Sequence, residues 1–303
     1  MRGEGPDIDG GLGIERLRER GHLRRFSHEA MATVFEVHAE HPDQRYAAQA
    51  AQAAFDLTDR LERELSRFRS NSDITRINHL SAGESTHVCA STLECLVIAR
   101  HLFDLTAGAF DISIGTGLPS LELDADAFEV RATTDGVKVD LGGIGKGYAV
   151  DLMAELLEEW GLGRALVHGG FSSVLALEAP GDGDGWPLTL SDPGAPSRVL
   201  ARLSVRQTAL GASGMRKTDH IVDPGTGRPA QGRLAAWVAL PRPVPSPAEG
   251  LRIAPTAVAD ALTTAFMLLS VEQINALCEQ SPGLEAWVLP DGESAVLQHF
   301  GGS

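Results

Sequence analysis

Hydrophobic periodicity divides this chain into helices and strands that interleave. Between Arg45 and Leu65, the residues Ala51, Ala54, Phe55, Thr58, Leu61 and Leu65 fall on one helical face. Asp56, Asp59, Arg60, Glu62 and Glu64 lie largely outside that face, so the segment predicts an amphipathic helix. Further helices are predicted over Ser91–Leu105, Gly147–Trp160 and Pro255–Leu269, with Val271–Cys278 continuing the last or beginning a fifth. Alternation predicts a strand over Met31–Ala39. Short apolar runs predict others at Ala165–Val167, Val174–Leu177, Val199–Val205, Leu234–Ala239, Ala286–Leu289 and Ser294–His299. The stretches 179–196 and 241–255 are rich in proline and glycine and read as long surface loops. Residues 1–25 read as a polar arm, and the remainder, 26–303, as one undivided α+β domain.

Composition narrows the function classes. The 303 residues are 43% hydrophobic and 22% charged, enough for a substantial core. A net charge of −15 argues against a nucleic-acid footprint and against adhesion to anionic membranes. No apolar run approaches the length of a membrane span, so no stable membrane insertion is expected. Cys89, Cys95 and Cys278 are odd in number and lack metal-pair spacing, which fits a reducing compartment; with no signal-peptide pattern in 1–25, a cytoplasmic location is expected.

Three segments carry candidate chemistry. In Asp140-Leu141-Gly142-Gly143-Ile144-Gly145-Lys146-Gly147, glycines precede a predicted helix whose N-terminus offers free N–H groups, with Lys146 as counter-charge for an anion. The spacing matches neither the P-loop nor the dinucleotide fingerprint, and a tight strand-to-helix turn would read the same way. Asp260 and Thr264 stand one helical turn apart. They suit a hard cation such as Mg²⁺, or equally a helix acid beside a back-bonded threonine. His220 precedes the turn Asp223-Pro224-Gly225-Thr226-Gly227 and is either a usable acid or base or an ordinary hydrogen-bonded histidine.

The order of these segments, over about Met31 to Leu269, resembles the ApbE family of FAD:protein FMN transferases. Met31-Ala32-Thr33 is similar to the family's M-G-T, and Leu65 to Asn78 to its aromatic and S-x-I/L-x-x-I/L-N segment. Thr106 to Asp111 resembles T-x-G-A-F-D, and Asp140 to Asp151 resembles D-L-G-G-I-A-K-G-Y-A-x-D. His220 to Pro229 resembles H-I-I-D-P-R-T-G-R-P, and Ala259 to Thr264 resembles A-D-A-L-A-T. The resemblance implies a single domain with mixed or antiparallel sheets packed by helices. It further implies an FAD site from Met31, Phe68, Ala109, Phe110, Asp111, Asp140, Lys146 and His220, and a magnesium site from the Gly143 carbonyl, Asp260 and Thr264.

The activity implied is transfer of FMN from FAD to a threonine or serine hydroxyl of an acceptor protein, with release of AMP. His220 would be the general base and Asp260 the catalytic metal ligand. FAD hydrolysis by the same metal site, and flavin binding without chemistry, are the alternatives. The chain departs from the family pattern at Gly225, where arginine is usual, at His168–Ser173 in place of N-x-G-G-N/D, and at 117–137, which is short.

Overall fold

In the computed structural model, which describes residues 12–14, 21–214, 221–242, 254–292 and 295–302, two cores form on opposite faces of one central sheet. The strands are β1 (Leu12–Ile14), β2 (Leu23–Ala30), β3 (Thr33–Glu40), β4 (Ser85–His87), β5 (Leu121–Asp124), β6 (Glu129–Ala132), β7 (Ala165–Gly169) and β8 (Ser173–Ala176). They continue with β9 (Trp186–Asp192), β10 (Ala195–Val205), β11 (Thr208–Gly214), β12 (Arg233–Pro241), β13 (Glu285–Pro290) and β14 (Gln298–Phe300). The helices are α1 (Gln44–Leu65), α2 (Asp73–Ile77), α3 (Ala90–Leu105), α4 (Gly145–Glu159), α5 (Pro255–Phe266) and α6 (Val271–Gln280).

The central sheet has eight strands in the order β14-β13-β12-β11-β8-β7-β3-β2, every pair antiparallel. Strand alternation sends Phe35, Val37, Val167, Leu175, Ala209 and Val238 to one face, where they join the core formed with α1, α4 and α5. Leu166, Val174, Leu210 and Trp237 face the other way and pack on Trp186, Leu188 and Leu190 of the small sheet β1-β9-β10. A third sheet, β4-β6-β5, includes the short 117–137 segment.

All five predicted helices are present, with ends within a few residues. The structure adds β2, the β4-β6-β5 sheet and the short α2, which the periodicity did not predict, and it departs from the expectation elsewhere too. The expected loop at 179–196 contains β9: Trp186, Leu188 and Leu190 alternate inward, and flanking glycines and prolines mask them in sequence. β11 was not predicted because its residues are small. That smallness is required, since a Cβ on Gly211 would stand 2.5 Å from the Ala259 backbone of α5. Within the expected arm, Leu12 and Leu23 are buried in the second core and anchor β1 and the start of β2. The strand expected over Ser294–His299 is confined to β14, with Ser294 outside the described residues; most of the 241–255 loop also lies outside them.

The β2–β3 hairpin turns through Met31 and Ala32, whose φ values of 50° and 57° are left-handed for both residues. Non-glycine residues adopt this region at a cost of about 1–2 kcal/mol each. Ala32→Gly is therefore expected to raise unfolding stability by roughly 0.5–1 kcal/mol once the greater unfolded-state entropy of glycine is counted. Chemical denaturation at fixed pH measures this directly, and a loss of stability would contradict the turn geometry.

Candidate active site

The site is built where α4 and α5 meet at their first turns. A Cβ on Gly147 would lie 2.4 Å from the Thr256 carbonyl oxygen, so the approach depends on glycine at this position. Helix N-termini leave N–H groups without intrahelical partners, and here neither helix caps itself: the N-cap residues, Ile144 and Ala254, make no side-chain bond. Each helix instead caps the other. Asp260 of α5 accepts from the Gly147 amide at 3.1 Å, and Asp151 of α4 accepts from the Thr256 and Ala257 amides, each at 3.0 Å. Both carboxylates are buried, which stabilises their neutral forms. Burial pushes the Asp151 carboxyl up to about 7 against its hydrogen bonds to Thr256 and Ala257. Burial also raises Asp260, opposed by the Lys146 charge, the Ser173 hydroxyl and the Gly147 amide.

In front of this junction opens a cavity of about 490 Å³, within the range of small-molecule sites. Ala109, Phe110, Asp111, Asp140, Gly143, Lys146, Asp260 and Thr264 all line it, so eight positions singled out in sequence converge from three separate segments. Lys146 Nζ stands 3.7 Å from Asp260 Oδ2 and 3.4 Å from the Gly142 carbonyl oxygen, on the first turn of α4 where the helix dipole is positive. Asp140 Oδ1 accepts from the Gly142 amide at 2.9 Å and Oδ2 pairs with Arg67 Nε at 2.9 Å, holding the glycine loop open toward the cavity wall.

Other residues shape this wall by local bonding. The Asp111 carboxylate is engaged by its own loop, accepting from the Ser113 and Gly115 amides and the Ser113 hydroxyl at 2.7–2.8 Å. That loop packs against the Asp223 turn, because a Cβ on Gly115 would meet the Pro224 carbonyl oxygen at 2.7 Å. Asp223 in turn accepts from the Gly225 amide and the Thr226 hydroxyl, each at 2.9 Å, and these bonds, Thr226 first, hold its pKa below the usual range. Phe110 is buried beneath Gly143, whose added Cβ would lie 3.2 Å from the phenyl ring and 3.7 Å from Thr264 Oγ1.

Gly143, Thr264 and Asp260 therefore surround one region of the cavity, and their donor set is all oxygen, as Mg²⁺ prefers. Among the described residues, every polar contact to the Asp260 carboxylate falls on Oδ2, which leaves Oδ1 for a cation. Among the same residues, Thr264 Oγ1 has only a long 3.5 Å contact with Ser213 Oγ. The residues fit a hard divalent ion.

Two expected positions, Met31 and Phe68, stand apart. Met31 lies in the β2–β3 turn, where its amide donates to Glu62 Oε2 at 3.2 Å, and it does not line the cavity. Phe68 is 83% exposed in the loop after α1, outside the lining, with the Arg67 guanidinium 4.5 Å over its ring. His220 lies outside the described residues, although its neighbours Ile221 and Val222 line the cavity. Sequence reasoning missed Arg67, which sits beside Phe68 in a segment already singled out. It also missed Ser173, whose hydroxyl donates to Asp260 Oδ2 at 2.8 Å, and Ser172 and Ser213 in the lining. An isolated serine, on a strand as at Ser173 and Ser213 or in a turn as at Ser172, gives no distinguishing signal.

A buried carboxylate, an ammonium and a glycine-flanked helix N-terminus meet around one cavity, and groups of these kinds can hold a phosphorylated ligand with a hard cation. The model of the ApbE family matches residues 31–119 and 116–288, and the chain belongs to that family. Among its relatives, the FAD:protein FMN transferase of Klebsiella pneumoniae (strain 342) is 24% identical over 292 residues, covering 79% of each chain. That of Treponema pallidum (strain Nichols) is 26% identical over 295 residues, covering 80% of this chain and 77% of its own. Among solved structures, the apo form of the Pseudomonas stutzeri flavinyl transferase ApbE superposes with a TM-score of 0.77 at 23% identity, covering 92% of this chain and 94% of that one. The flavin transferase ApbE from Vibrio cholerae gives 0.77 at 20% identity, covering 93% and 98%.

Proposed function

We propose that this protein moves the FMN half of FAD onto a threonine or serine hydroxyl of an acceptor protein and releases AMP. The observation that carries this reading is the convergence of Asp140, Gly143, Lys146, Asp260 and Thr264 on one cavity, in a chain of the ApbE family whose relatives bear that activity in their names. The acceptor hydroxyl oxygen bonds to the FMN-side phosphorus of FAD, the bond from that phosphorus to the bridging oxygen breaks, and the bridging oxygen leaves with AMP. Lys146 and the α4 N-terminus lie where negative charge on the diphosphate would be stabilised. Mg²⁺ held by Asp260, Thr264 and the Gly143 carbonyl would neutralise charge on the diphosphate as AMP departs. The Asp140–Arg67 pair positions the glycine loop.

A hydroxyl is a weak nucleophile, and His220 is assigned as the base that takes its proton. Support comes from the resemblance of His220–Pro229 to the family's histidine turn and from Ile221 and Val222 at the cavity wall. His220→Ala is expected to abolish acceptor flavinylation while FAD binding, followed by flavin fluorescence, stays within a few-fold of the parent. An unchanged transfer rate would remove His220 from the mechanism.

A cytoplasmic acceptor belongs to the same proposal. It is supported by Cys89, Cys95 and Cys278, an odd number of cysteines without the spacing of a disulfide framework or a metal pair. No helix among the described residues is long and apolar enough to cross a membrane.

A further inference from the structure

A cluster of ionisable side chains lies on the face of the central sheet opposite the cavity. Glu36 and His38 are two apart on β3 and so share a face, and Glu36 pairs in register with His168 of β7. His168 is in turn the cross-strand partner of Val174, which packs in the second core, whereas the adjacent Ser173 reaches Asp260 on the other side. All three side chains are buried, His168 completely.

Their ligand atoms converge. His38 Nε2 lies 3.2 Å and His168 Nε2 lies 3.1 Å from the same oxygen, Glu36 Oε2, and the three atoms lie within 4.8 Å of one another. Two ligand atoms bound at about 2.0–2.1 Å to one tetrahedral zinc ion stand about 3.3 Å apart, so the two distances from Glu36 to the imidazoles are nearly those of a ligand set. Without a cation, a single carboxylate oxygen must accept from two imidazole N–H groups at once inside an apolar layer. Ionised carboxylates are buried only at high cost unless paired. The Arg25 guanidinium is at 3.5 Å, on the other oxygen, Oε1, and its side chain is largely exposed.

Among the described residues Nδ1 of His168 has no hydrogen-bond partner, so no contact there fixes the tautomer against moving the ring proton to Nδ1 and freeing Nε2.

We propose that Glu36, His38 and His168 form a second metal site, for a divalent transition-metal ion of the zinc class, which fastens the β2–β3 hairpin to β7. Two imidazoles and one carboxylate select such an ion over Mg²⁺, so this site differs in metal as well as in place from the one at Asp260.

The test uses the full chain, stripped with chelator, loaded with Zn²⁺ and desalted, with bound metal and affinity measured by elemental analysis and competition against a chromophoric chelator. The wild type and Asp260→Asn are each expected to retain one equivalent that millimolar Mg²⁺ does not displace. Glu36→Gln and His38→Gln are expected to weaken binding by roughly 100-fold or more. Glu36→Gln keeps the shape and an acceptor oxygen, so it provides the comparison if His38→Gln fails to fold. No retained zinc in the wild type overturns the proposal. Zinc bound as tightly by Glu36→Gln as by the wild type, which would mean adventitious capture by exposed histidines, overturns it too.

Discussion

Asp260→Asn is expected to lower AMP release from FAD about 10³-fold or more, equivalent to about 4 kcal/mol of lost transition-state stabilisation. The substitution preserves volume and leaves an oxygen to accept from the Gly147 amide, so the fold should survive and the loss should be chemical. It removes the only carboxylate among the oxygen donors proposed for the metal. The pH dependence supplies an independent check. Burial raises the Asp260 carboxyl above its usual range, and a cation binds only the ionised form, so protons compete with metal. The Mg²⁺ concentration for half-maximal activity is therefore expected to rise as pH falls through that raised pKa. A pH-independent Mg²⁺ requirement, or full activity in Asp260→Asn, would separate this carboxylate from the metal.

Asp151→Ala is expected to cost about 3 kcal/mol of folding stability, because it strips the amides of Thr256 and Ala257 of their buried acceptor and leaves α5 without a cap. Since α5 carries Asp260 and Thr264, the damage should extend to the site. Asp151 also has a defined pH signature. Its pKa is raised to about 7, above the value of an unfolded aspartate, so its contribution is fully present below the unfolded pKa and is lost as pH rises through about 7. The stability gap between wild type and Asp151→Ala, from denaturant midpoints, should therefore be wider at pH 5 than at pH 8. A gap that widens with rising pH would contradict the buried-carboxyl account.

What could be read from sequence followed the size of the signal. The amphipathic pattern of α1 and the glycine loop before α4 are long-range regularities, and both elements lie close to where the pattern put them. β9 and β11 were hidden for opposite reasons. The apolar alternation of β9 sits among turn residues, and β11 is stripped of large side chains by the approach of α5 at Gly211. The motif residues of the site were legible as types, but not their division of labour. Asp151 and Asp260 look alike in sequence, and only their placement across the α4–α5 junction shows that each caps the other's helix. Glu36 and His38 gave no local signal and His168 stood out only as a departure from the family pattern, since a cluster formed across two strands is a property of register.

The central claim is that this cavity transfers FMN from FAD to protein. Its most direct test is to incubate the purified chain with FAD, Mg²⁺ and an acceptor bearing an exposed threonine in a flavinylation-like sequence, then measure AMP and the intact mass of the acceptor. The account predicts AMP release matched mole for mole by acceptor carrying one FMN, with both lost on chelation of the metal. AMP without a change in acceptor mass would make the protein an FAD hydrolase, and retained FAD with neither product would make it a flavin binder; either result contradicts the account.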